Sequence, residues 1–192
     1  MTASDLSPAV TKAALRQKAL ARRAALAPTF RIECALKLAD LADELVLPPD
    51  AVVAGYWPLN HELDPRPLLM RLRERGHRLC LPVVAEPHLI FRLFGRDTAF
   101  EPAGFGTMAP GPEAEETRPD ALLMPLSAFD GQGNRIGYGK GHYDVAITAL
   151  TQVKPVICVG LAFATQEVPA VPVEPHDKPL HAVLTENGMT RF

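Results

Sequence analysis

Residues 133–144 read GNRIGYGKGHYD. Gly137, Gly139 and Gly141 alternate with Tyr138 and Lys140, Arg135 stands before them, and Asp144 closes the run. This pattern suits an anion with several phosphates. Glycines remove the Cβ atoms that would hold phosphate oxygens away from backbone N–H groups, while Arg135 and Lys140 add positive charge. Neither standard phosphate loop is present. A Walker A loop needs Ser or Thr after Gly-Lys, where Gly141 stands, and the dinucleotide pattern counted from Gly137 meets His142 in place of its third glycine. On the glycines alone, a tight turn without a ligand is an equal reading.

Other residues could join this chemistry. Lys12, Arg16 and Arg23 are four and seven residues apart, which places them on one stripe of a helix; the stripe is either a reach toward an anion or an ordinary solvated basic face. Asp144 in GHYD and Asp177 in VPVEPHDKPL could hold magnesium, which is commonly bound by one or two carboxylates plus substrate phosphates. Each could equally be a cap or a surface residue. In NHELDPRPLL the second histidine of H-E-x-x-H is missing, which excludes a zinc protease of that type. Glu62 and Asp64 are one strand period apart and either share a pocket or mark the entry to a helix at Pro65.

The elements that must position these residues follow from the apolar pattern. Ser7-Pro8 predicts a cap and a first helix running toward Pro28. A second helix follows, with Ile32, Ala35, Leu36, Ala39, Ala42 and Leu45 on its expected buried face, so that N-terminal helices occupy about 8–46. AVVAGYWPL, RLCLPVV, HLIFRLF, DALLMPL and PVICVGLAFA read as strands; RPLLMRLRERG and HYDVAITAL read as helices. The alternation predicts a single-domain (1–192) layered α/β/α fold with a mainly parallel central sheet. The glycine loop then lies between a strand end and a helix start, where open α/β sheets bind ligands and helix N-termini attract anions. The Pro/Gly-rich stretch at about 101–120 reads as a surface loop, either a connector or a flap over the site.

Composition narrows the class. The 192 residues are 47% hydrophobic and 22% charged with a net charge of −2, which suits a globular domain and gives no global sign of nucleic-acid or membrane-surface binding. Cys34, Cys80 and Cys158 form no C-x-x-C and read as reduced thiols. No apolar stretch approaches bilayer length and the first residues lack a signal-peptide core, so a cytoplasmic protein is expected.

Taken in order, KAALR, YWPLNHELDPRPLL, LPVV, LLMPLSAFDGQGNRIGYGKGHYD and ATQEVPAVPVEPHDKPLHAVLTE resemble the 5-formyltetrahydrofolate cyclo-ligase (5,10-methenyltetrahydrofolate synthetase) family along nearly the whole chain. The resemblance implies conversion of 5-formyltetrahydrofolate to 5,10-methenyltetrahydrofolate with ATP and Mg2+, through a phosphorylated formyl group, by a monomer that needs neither nucleic acid nor membrane. By position it implies ATP contacts at Lys12, Arg16, Arg135, Ile136, Gly137, Tyr138, Gly139, Lys140, Gly141, His142 and Tyr143. Of these, Arg135 and Lys140 would be the catalytic cations. Folate contacts would fall at Leu59, Glu62 and Asp64 and at Tyr138 through His142, and metal ligands at Asp144 and Asp177. The chain departs from the family's usual residues at His142, Val145 and the TMAP segment. Two other readings stay open: a sugar-phosphate isomerase or acyl-transfer enzyme on a similar scaffold, and a non-catalytic reduced-folate-binding protein.

Overall fold

The computed structural model describes residues 8–85, 88–104 and 106–192. Ser7, read as the first helix cap, lies outside them. Helix α1 (Pro8–Ala24) begins at proline, whose missing N–H costs nothing at a first helical position. Helix α2 (Pro28–Asp40) starts the same way and tightens into a 3-10 turn, Leu41–Glu44. The strands are β1 (Val52–Ala54), β2 (Arg78–Ala85), β3 (His88–Phe94), β4 (Phe100–Pro102), β5 (Met108–Pro110), β6 (Glu116–Thr117), β7 (Ala121–Pro125), β8 (Ala128–Phe129), β9 (Arg135–Ile136), β10 (Ile157–Leu161), β11 (Ala182–Thr185) and β12 (Gly188–Arg191). Helices α3 (Arg66–Glu74) and α4 (His142–Thr151) complete the set.

The main sheet runs β12-β11-β10-β7-β1-β2-β3-β6. Its centre is parallel, from β11 through β10, β7 and β1 to β2, whereas β12, β3 and β6 attach antiparallel at the two sides. Successive strand residues face opposite sides. Val53, Leu123, Val159 and Leu184 therefore pack with Leu38 of α2 and Leu68, Leu69 and Leu72 of α3. Ala54, Leu122, Met124, Cys158 and Val183 pack on the other face with Ala146, Ile147 and Leu150 of α4. This is the expected α/β/α layering. Leu68, Leu69 and Leu72 are at most 1% exposed, and burying each such side chain is worth roughly 1.5–3 kcal/mol.

Two expectations change. The buried face of α2 is Cys34, Ala35 and Leu38, continued by Ala42 and Leu45, while Ile32 and Leu36 are exposed. Both stripes have helical spacing, and packing onto α3 and the sheet selects the one carrying Cys34 and Leu38. The 101–120 stretch is also not structureless: β4 and β5 form a hairpin and β6 joins the sheet edge. Pro102 and Pro110 can occupy these strands because they are edges.

Helix α1 stands apart from the sheet faces. Its Ala19 and Leu15 pack on Ala128, Ile136, Val168 and Val171, so it lies across the β8–β9 ribbon from which the glycine loop emerges. Among the described residues, no helix is long and apolar enough to cross a membrane.

Candidate active site

Strands β1 and β7 end at the same edge of the parallel sheet, and the chains that leave them build the site. After β1, residues 59–62 form a tight turn. Glu62 N–H donates to the Leu59 carbonyl at 2.8 Å, and Leu59 N–H donates to Glu62 Oε2 at 2.8 Å. Asn60 (φ 44°) and His61 (φ 67°) are both left-handed, a conformation that asparagine and histidine enter more readily than most residues. The turn presents Glu62 as a buried carboxylate whose Oε1 has no hydrogen bond of ordinary geometry among the described residues. Burial raises the Glu62 pKa; the Leu59 N–H, the Arg23 charge and the nearby Tyr138 hydroxyl act against that rise.

After β7 the chain passes through β8 and β9 into the glycine loop. Arg16 of α1 lies beneath it, donating from Nε to the Gly137 carbonyl at 2.7 Å. Gly139 has φ +90°, and a Cβ there would stand 3.1 Å from an Arg16 terminal nitrogen, so a side chain would be strained in conformation and would push Arg16 aside. Gly141 (φ +69°) caps α4 in the left-handed conformation. The first turn of α4 thus opens directly onto the loop. Lys140 is exposed at the tip, His142 begins the helix, and Tyr143 leans on the core beneath α4, where burial raises its pKa.

Lys12, Arg16 and Arg23 of α1 converge on this edge, but each already bonds to protein. Lys12 Nζ contacts Glu174 at 2.8 Å and Asp177 at 2.5 Å. Arg23 is 1% exposed and donates to Leu126 O (3.2 Å), Asn60 O (3.0 Å) and Tyr138 Oη (3.0 Å). Burial opposes charge on both members of the Lys12–Asp177 pair. Their hydrogen bond prevails, holding the Asp177 pKa below and the Lys12 pKa above the ordinary ranges.

The other expected site residues divide into outward and inward groups. Arg135 points inward: it donates to Asp144 Oδ1 at 2.8 Å and to the Lys178 carbonyl. Ile136 is buried beneath α1, and its carbonyl accepts from Ser127 N–H at 2.7 Å. Asp64 receives the Arg66 backbone N–H at 3.0 Å and pairs with the Arg66 side chain, which supports its reading as a helix-entry residue. Leu59 remains half-exposed beside Gly106 of the hairpin loop.

Asp144 is not part of the three-residue donor cluster that forms around Asp177. Asp177 clusters with Glu174 and His176, with ligand atoms within 4.8 Å of one another. Asp144 Oδ1 also accepts Lys178 N–H at 3.0 Å, which ties it to the same loop. Asp144 and His176 line one open cleft of about 430 Å³ along α4, together with Gly141, Thr148 and Gln152. Asp144 therefore borders this opening directly, whereas Asp177 adjoins it only through its neighbour His176.

Sequence reasoning missed Glu174, His176 and the aromatic cover over Trp57. Glu174 and His176 stand within three residues of Asp177, a density of donor types that could have marked the cluster. Trp57 follows β1 and is covered by Phe100 (6.0 Å between ring centroids) and by the Arg66 guanidinium (5.6 Å), so the β4–β5 hairpin closes over the chain leading to the 59–62 turn.

The model of the 5-formyltetrahydrofolate cyclo-ligase family matches residues 8–186. A 5-formyltetrahydrofolate cyclo-ligase of Escherichia coli is 32% identical over 174 residues, covering 85% of this chain and 94% of its own. One of Haemophilus influenzae is 33% identical over 139 residues, covering 69% and 74% respectively. Among solved structures, 5,10-methenyltetrahydrofolate synthetase of Aquifex aeolicus superposes with a TM-score of 0.76 at 29% identity, covering 94% of this chain and 92% of that one. The Mycoplasma pneumoniae synthetase shares the fold with a TM-score of 0.72 at 23% identity, over 91% and 98%.

Proposed function

The chain belongs to the 5-formyltetrahydrofolate cyclo-ligase family, and on that premise we propose that it closes 5-formyltetrahydrofolate to 5,10-methenyltetrahydrofolate while converting ATP to ADP and phosphate. The observation that carries this reading is adjacency. A phosphate-suited loop and a turn presenting a buried carboxylate meet at one sheet edge, linked through Tyr138. ATP lies along the glycine loop and the first turn of α4, within reach of Lys140; folate lies against Leu59, Glu62 and the Trp57 side of the hairpin.

The reaction needs both ligands in contact because an amide oxygen is a poor leaving group. The formyl oxygen attacks the γ-phosphorus, ADP departs, and the formyl carbon carries an imidate phosphate. N-10 then attacks that carbon, loses its proton, and phosphate leaves with the former formyl oxygen. The N–H groups of the loop and of the α4 N-terminus stabilise the phosphoryl charge as it is passed on. Lys140 supplies an exposed cation, whereas Arg135 fixes Asp144 and the 178 loop.

The carboxylates fit a divalent cation. Glu174 and Asp177 already hold the Lys12 ammonium between them, which marks the place as one where positive charge is stable. Mg2+ would take the place of that ammonium at Asp177, with Asp144 as a second carboxylate, and when bound it would offset phosphate charge. The test is formation of the methenyl chromophore from ATP, Mg2+ and 5-formyltetrahydrofolate, with ATP and metal omitted in turn. Turnover without ATP would favour an isomerase or acyl-transfer chemistry; folate binding without turnover would favour a storage protein.

A further inference from the structure

We propose that Arg23 is a positioning residue for this reaction: through Tyr138 it ties the glycine loop to the Glu62 turn and so keeps the two substrates in register. This deepens the cyclo-ligase reading and rests on it. Arg23 comes from a rigid platform, because Ala19 one turn earlier is fully buried against Ala128, Ile136, Val168 and Val171. From there one buried guanidinium serves three separate pieces of chain: Leu126 after β7, Asn60 in the turn, and Tyr138 in the loop. Asn60 is one of two consecutive left-handed residues, so its carbonyl direction depends on an outside partner.

Donor chemistry sets the direction of the link. A guanidinium has no acceptor, so Tyr138 Oη must accept from Arg23 and its own proton must go elsewhere. The carboxylate nearby is Glu62, whose Oε2 is anchored by Leu59 N–H and whose Oε1 is buried without a completed bond. The groups that bear on Glu62 are Arg23 from α1, Tyr138 from the loop, Tyr56 after β1 and Tyr143 from α4. Of these, Arg23 and the Tyr138 hydroxyl favour the carboxylate form. Lysine cannot take the place of Arg23, since a single ammonium lacks the fork that reaches all three acceptors.

Four proteins test this: the parent, Arg23→Lys, Tyr138→Phe and the double variant. Each is melted, titrated calorimetrically with 5-formyltetrahydrofolate across pH, and assayed for turnover with both substrates varied. Each single substitution is expected to weaken folate binding and raise its KM about 10-fold or more, to change the ATP KM far less, and to move the acid limb of folate binding to higher pH. The double variant should lie within about 3-fold of the worse single, because one link is broken only once. Losses that multiply, or an acid limb left at the parent position, overturn the proposal. If Arg23→Lys does not fold, Tyr138→Phe decides alone, since the residue is 44% exposed and only its hydroxyl is removed while the ring stays. A parent that binds folate without turnover defeats the cyclo-ligase reading while the binding arms still judge Arg23. A parent that binds no folate defeats both.

Discussion

Gly139→Ala isolates what the glycine loop contributes. The backbone there has φ +90°, and an L side chain in left-handed space costs about 1–2 kcal/mol. The new Cβ would also stand 3.1 Å from an Arg16 terminal nitrogen. That end of the side chain can move, but moving it weakens the 2.7 Å bond from Nε to the Gly137 carbonyl, a loss of about 1 kcal/mol. The sum, about 2–3 kcal/mol, corresponds to about 30- to 160-fold in kcat/KM for ATP. The loop is exposed and can escape the strain by leaving its place, so the melting temperature should hardly change while the ligand-competent conformation is depopulated. The assay is steady-state turnover with ATP varied, alongside Gly137→Ala and an Arg16→Met background. A Cβ at Gly137 meets no protein atom within 4 Å, so any loss there reports contact with nucleotide alone. In the Arg16→Met background the Gly139→Ala penalty should shrink to its conformational part, about 5- to 30-fold. Kinetics within about 3-fold of the parent, or an identical penalty in both backgrounds, would refute the reasoning.

Asp144→Asn should lower magnesium-supported turnover at least about 10-fold, equivalent to about 1.4 kcal/mol, and should also destabilise the fold, because Arg135 loses its charged partner; metal-dependent kinetics and melting check each part. Asp177 has a lowered folded pKa, so its contribution to stability is present above the ordinary carboxylate pKa of about 3.9 and is lost as pH falls through the lowered value. Denaturation from pH 7 downward should therefore show a steeper acid loss in the parent than in Lys12→Met, and equal slopes would contradict the pairing. Trp57 is the chain's one tryptophan, so 5-formyltetrahydrofolate should change its fluorescence with the same Kd that calorimetry gives; an unchanged spectrum at saturation would place folate elsewhere.

Much of this architecture was readable from pattern. Strand runs such as ALLM and ICVG, uniformly apolar because both faces are covered, marked the parallel centre of the sheet. Lys12, Arg16 and Arg23 do share one side of α1 and touch Asp177, the glycine loop and Tyr138 respectively. What spacing could not show was the partner of each. Arg23 differs from a solvated arginine only because α1 packs across the β8–β9 ribbon, which is a tertiary fact. The same holds for α2, where two apolar stripes compete and only contact with α3 selects Cys34 and Leu38 over Ile32 and Leu36. The β4–β5 hairpin was hidden by its prolines and glycines, which read locally as loop although edge strands tolerate them. The charge of Arg135 is visible in the sequence; its bonds to Asp144 and the Lys178 carbonyl are tertiary facts that spacing does not show.

The central claim is that ATP activates the formyl oxygen on this chain, and an oxygen label tests it most directly. 5-Formyltetrahydrofolate carrying 18O in the formyl group is incubated with the protein, ATP and Mg2+, and the released phosphate is analysed by mass. Passage through an imidate phosphate predicts one labelled oxygen in phosphate for each methenyl product formed. Methenyl product accompanied by unlabelled phosphate, or formed without ADP, would contradict the account.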